Sequence, residues 1–229
     1  MIRARGILAA VLVALSILAS AQLPPGFKMP SLWYNPALLM DPGVQKELNV
    51  SSAVESKIQQ VMMQQAMKML PVIMSMKGGN KSGKTPTEAD LKKSMPLILD
   101  AYNKMQKACV DNLNGAQLAR LHQITLQSFG PKSLLDPKVG AQVGLSPAQQ
   151  HKLQLELGRL ALSQQGATMG LLQGGQPNLS AAQSLATNSR KKTQALLDTV
   201  LTASQRAKWK ALQGKPIQLS GMASLMGGG

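Results

Sequence analysis

Leu201-Thr202-Ala203-Ser204-Gln205 spells the start of an α-helix in five residues. Thr202 can cap by accepting from the first free backbone N–H groups. Gln205, three residues on, can reach back to the cap's own N–H, and Leu201 ahead of the cap can act as a hydrophobic staple. The phrase returns at Leu145-Ser146-Pro147-Ala148-Gln149 and Leu179-Ser180-Ala181-Ala182-Gln183, with a variant at Leu113-Asn114-Gly115-Ala116-Gln117. One capping box is ordinary in a helical protein. Four with one spelling mark a family pattern and point to an all-α chain.

Working outward from the boxes, the chain aligns with itself. A shift of 95 positions lays Leu39-Met40-Asp41-Pro42-Gly43-Val44 on Leu134-Leu135-Asp136-Pro137-Lys138-Val139, and Lys57-Ile58 on Lys152-Leu153. A slightly shorter shift lays Leu113 to Gln117, Arg120 and Leu121 on Leu201 to Gln205, Lys208 and Trp209. Each half thus opens with Asp-Pro and closes with a capped basic helix. Asp41 and Asp136 read as helix caps followed by Pro at the first helical position. Val54 stands where the first half's opening box would have Gln.

Apolar periodicity predicts helices over about 52–76, 87–111, 116–128, 147–165, 181–200 and 203–213. Pro71 is expected to kink the first. Stretches 78–85 and 166–177 read as Gly-rich turns between paired helices, and no strand pattern is present. The expected fold is all-α: tandem helical hairpins in two pseudo-repeated halves, 38–130 and 131–213. Segment 22–37 and tail 214–229 read as flexible.

Residues 1–21 read as an export signal. Arg3 and Arg5 supply a basic start, an apolar run follows from Gly6 to Ala19, and Ala19-Ser20-Ala21 fits a cleavage site. The run is too short to span a membrane, so no transmembrane span is expected after cleavage. The chain carries 25 Lys and Arg against 10 Asp and Glu, a net charge of +15. Outside the cytoplasm that charge suits acidic unfolded clients or an anionic envelope surface better than nucleic acid. Aromatics make up 3% of residues, so aliphatic side chains and 14 methionines must fill the core.

On these boxes the chain resembles the Spy/CpxP family of envelope proteins. The resemblance rests on Leu113/Asn114/Gln117, Leu145/Ser146/Gln149, Leu179/Ser180/Gln183 and Leu201/Thr202/Gln205. It implies elongated helical hairpins, commonly cradle-shaped homodimers, that act as ATP-independent chaperones, stress regulators or metal-responsive sensors. Two linked halves depart from the family's single unit, and the tandem can supply its own partner.

Methionine is the second signal. Met62, Met63, Met67, Met69, Met74 and Met76 crowd into one predicted helix, and Met63, Met67, Leu70 and Met74 form a stripe. Three readings stand side by side: core filling, a surface that accepts many apolar partners, and soft-sulfur ligation of Cu(I). Lys68, Lys92, Lys93, Arg190, Lys191 and Lys192 are the candidate basic rim for a client surface. Met63, Met67 and Met74 are its apolar anchors and the weak Cu(I) candidates.

Other chemistry is excluded or reads as structural. Gly78-Gly79-Asn80-Lys81-Ser82-Gly83-Lys84-Thr85 satisfies the phosphate-loop pattern, but such a loop follows a buried strand, and a helix is predicted ahead of it. Cys109 lies on an apolar helical series with Ile98, Tyr102 and Met105 and reads as a buried thiol, with an intermolecular disulfide or a reactive role as the alternative. His122 reads as a partly buried structural residue and His151 as exposed. Neither has a second ligand at suitable spacing, which disfavours zinc. No carboxylate pair or nucleophile signature appears, so no enzyme and no cofactor are expected. The sequence reading is an exported, chaperone-like binding protein in the periplasm or outside the cell. A Cu(I)-responsive envelope sensor and a non-catalytic envelope structural protein are the alternatives.

Overall fold

Asp41 and Asp136 each gather two backbone N–H groups onto one carboxylate oxygen. Asp41 Oδ1 accepts from Gly43 and Val44 at 2.7 and 3.2 Å, and Asp136 Oδ1 accepts from Lys138 and Val139 at 2.8 and 3.4 Å. With proline at the next position, each starts a short helix. In the computed structural model, which describes residues 33–78, 88–173 and 179–219, these caps open two runs of elements in the same order. The side chains of 72–78, 88–92, 95, 162, 164–173, 179–183, 185 and 186 lie outside the description.

A 3-10 segment, Pro36–Met40, leads into α1 (Pro42–Glu47), α2 (Ser52–Gly78), α3 (Glu88–Asn112) and α4 (Gly115–Phe129). A second 3-10 segment, Gly130–Leu135, leads into α5 (Pro137–Val143), α6 (Pro147–Gln173), α7 (Leu179–Val200) and α8 (Ala203–Gln213). The fold is all-α, with no strand among the described residues. Helix α2 packs along α3 and α6 along α7, while α4 meets α8.

A left-handed residue stands ahead of both α2 and α6. Asn49, with φ of 47°, is the single non-glycine residue at positive φ among the described residues. Gly144, at φ of 80°, holds the corresponding place in the second half. Both follow the end of a short helix, where a left-handed residue reverses the chain.

Two apolar clusters fill the interior. The first joins Val44, Ile58, Met62 and Met69 to Ile98, Tyr102, Met105 and Cys109, and reaches Leu121 and Ile124 of α4. The second joins Leu126 of the same helix to Leu134, Val139, Val143, Leu153, Leu157 and Leu197, with Trp209 packed against it. Helix α4 therefore serves both cores, its Leu121, Ile124 and Leu126 being fully enclosed.

Several sequence expectations change. Segments 33–37 and 214–219, read as flexible, are packed, and they cross: Trp33 lies on the second cluster, Ile217 and Leu219 on the first. Side chains of α4 hold them. Thr125 Oγ1 accepts from Asn35 N–H at 3.0 Å, while Gln127 donates to the Gln213 and Lys215 carbonyls and accepts from Ile217 N–H. Helix α6 continues through Gly166 and Gly170 to Gln173, into the stretch read as a turn, while α2 includes Pro71 as expected. Interior glycines cost about 1 kcal/mol each, which a nucleated, packed helix absorbs. Residues 1–21, read as an export signal, segment 22–32, residues 79–85 of the phosphate-loop pattern and tail 220–229 lie outside the described residues. No described helix is long and apolar enough to cross a membrane.

Candidate functional site

The glutamine boxes position the scaffold, and they do more than cap. In α4, Asn114 Oδ1 accepts from Gln117 N–H at 2.9 Å, and Gln117 Oε1 accepts from Asn114 N–H at 3.0 Å. In α8, Thr202 and Gln205 exchange the same two bonds at 3.2 and 3.0 Å, and in α6 so do Ser146 and Gln149. Each glutamine keeps its amide N–H2 for a distant carbonyl. Gln117 Nε2 donates to Leu48 and Asn49, and Gln205 Nε2 donates to Gly144, which are the turn residues ahead of α2 and α6. Gln149 Nε2 donates to the Val200 carbonyl at the end of α7.

The leucines of the boxes complete the joints. Leu113 and Leu201 are buried, and Leu145 packs against the second cluster. The box at Leu179, Ser180 and Gln183 differs: α7 already runs at Leu179, which sets Ser180 inside the first turn, ahead of which a cap would stand. Its side chains lie outside the described residues. In the first half Val54, lacking an amide, joins the apolar cluster.

The methionines of α2 divide into two sets. Met62 and Met69 face the core and are nearly inaccessible, whereas Met63 is 37% and Met67 54% exposed. Met63 and Met67 stand one turn apart and so share a face. Lys57 and Lys68 are exposed on the same helix, and from Ser56 to Gly78 it carries no acidic residue. Met74 and Lys92 have side chains outside the described residues. Lys93, Arg190, Lys191 and Lys192 are all exposed, the last three on α7 in the other half. Leu97 on α3, 54% exposed, and Val110 and Leu155 are further uncovered apolar side chains. Periodicity did not single these out, since each lies off its helix's apolar stripe.

Cys109 sits in the first cluster, where burial pushes its thiol up to about 12 and its Sγ–H points to the Met105 carbonyl at 3.5 Å. It is a thiol, not a thiolate, at neutral pH. His151 is exposed. His122 is half-buried and carries contacts that sequence spacing missed: its ring stacks on Trp33 at 3.9 Å between centroids, and Nδ1 lies 2.8 Å from the Trp33 carbonyl.

Among the described residues no three His, Cys, Asp or Glu side chains gather closely enough to hold a metal ion. The phosphate-loop pattern begins where α2 ends, so a helix precedes it, against the strand such a loop requires. The chain matches no protein-family model, no curated protein and no solved structure.

Proposed function

We propose that the protein is an exported, ATP-independent chaperone-like protein that holds unfolded clients on the basic, methionine-bearing face of α2, in the periplasm or outside the cell. The observation that carries this reading is the exposure of Met63 and Met67 on a helix whose other described methionines are core. Fully burying such a side chain is worth about 1.5–3 kcal/mol, and both leave much of that gain unused. A client segment covering them would collect it. Thioether side chains adapt to partners of different shape, and the basic charge of α2 beyond its first turn would draw acidic clients from a distance. The glutamine boxes and the expected export signal support a likeness to the Spy/CpxP group, which includes ATP-independent chaperones beside stress regulators and metal-responsive sensors.

The same pair, at i and i+4 with soft sulfur exposed, favours a second reading as a Cu(I) responder. Light scattering of a denatured model client, without ATP, separates the two. The chaperone-like reading expects suppression that weakens with salt and ignores Cu(I). Absence of suppression together with tight Cu(I) binding selects the sensor, and absence of both selects an envelope structural role.

A further inference from the structure

We propose that His122 is an acid-operated latch whose protonation releases residues 33–35, a segment that packs on both apolar clusters. The segment lies across the junction between the clusters. Its hold there is specific: Tyr34 O accepts from Tyr102 OH at 3.0 Å and from Gln106 Nε2 at 2.7 Å, and Asn35 N–H donates to Thr125 Oγ1. The carbonyl of Trp33 faces His122 Nδ1.

A carbonyl only accepts, so His122 donates from Nδ1. The neutral ring therefore carries its proton there and leaves Nε2 bare. That nitrogen is buried and has no hydrogen-bond partner. A bare ring nitrogen tolerates this, but the N–H that protonation would add is a donor with nothing to bond, and an unmet buried donor is costly.

The surrounding charges act in both directions. The Asp136 carboxylate attracts a proton on His122, and its oxygen is already engaged by the Lys138 and Val139 N–H groups. The Lys138 ammonium lies 5.6 Å from the Trp33 ring centroid, on the ring that His122 stacks against, and opposes a second positive charge. Tyr34 meets the imidazole edge-on, and Tyr102 is held by burial above its ordinary 10.0 as a neutral donor. Burial outweighs the attraction and holds His122 below its ordinary 6.5. An unfolded or released ring thus takes up the proton at higher pH than the latched one. The latch is complete above pH 6.5 and weakens as pH falls through that value.

Hydrogen exchange on the full mature chain tests this. The Asn35 amide should lose protection between about pH 7.5 and about pH 5, while core amides of α6, such as Leu153, keep theirs. In His122→Gln, whose amide can still donate to the Trp33 carbonyl, Asn35 protection should be equal at both pH values. A drop that survives in His122→Gln, a flat wild-type profile, or joint loss of protection in α6 overturns the latch. Should the variant not fold, the ring titration in the wild type decides, because a midpoint above 6.5 contradicts a latch that opens on protonation.

Discussion

Gln149 and Gln205 hydrogen-bond to each other through their side-chain amides, at 2.9 Å from Gln149 Nε2 and 3.1 Å from Gln205 Nε2. Each oxygen also accepts from its own cap residue, and each nitrogen also donates to a carbonyl, Val200 for one and Gly144 for the other. Both amides thereby make all four hydrogen bonds available to them. The pair fastens the start of α6 to the α7–α8 corner.

Truncating either partner strands the other. Gln205→Ala and Gln149→Ala should each cost about 1–3 kcal/mol in urea unfolding. The double variant should cost less than the sum, by about 0.5–3 kcal/mol of coupling. Additive losses would show that the amides act only as separate caps.

The turn residues give a second comparison. At Gly144, φ of 80° admits an alanine only with strain, so Gly144→Ala should cost about 1–2 kcal/mol. A melting midpoint lower by about 2–8 °C would register it. Asn49→Gly, at φ of 47°, should move the midpoint far less, because asparagine already tolerates that backbone and glycine gains unfolded entropy. Equal losses at the two sites would contradict the left-handed role.

Cys109 should resist alkylation at about pH 8 in the folded protein and react readily in urea, since burial holds the thiol protonated. Its pKa rises on folding from 9.0 to about 12. The folded state therefore binds this proton more tightly, and the associated stability is full below pH 9.0 and fades as pH rises toward 12. Rapid labelling of the folded chain, or a dimer linked through Cys109, would contradict the burial.

Much of the framework was legible because its signals are local. A cap, its glutamine three residues on and an Asp-Pro pair each act within one turn, so Asn114/Gln117 and Asp136 could be read without tertiary information. What the glutamine nitrogen does was not legible, since Asn49 and Gly144 are reached only through the fold. The division of the methionines had the same limit. Period did set Met63 and Met67 on a stripe apart from Met62 and Met69, but a helix apolar on two sides leaves open whether the second stripe is also covered, and the packing of α3 decides that Met62 is covered and Met63 is not. The crossing of residues 33–37 and 214–219 depends on partners about 90 positions away, such as Thr125 for Asn35.

The exposed methionines carry the central claim. Met63 and Met67 are 37% and 54% exposed, so replacing both with Ser gives up their partial burial and some helix propensity. A loss of about 1–2 kcal/mol is expected, which circular dichroism should show leaves the variant folded. The decisive measurement is aggregation of a denatured acidic client by light scattering, with the Met63→Ser/Met67→Ser variant compared against the wild type at low salt and no ATP. The account expects the wild type to suppress scattering and the folded variant to lose most of that suppression. Equal suppression by the two proteins would contradict a client-holding role for this face of α2.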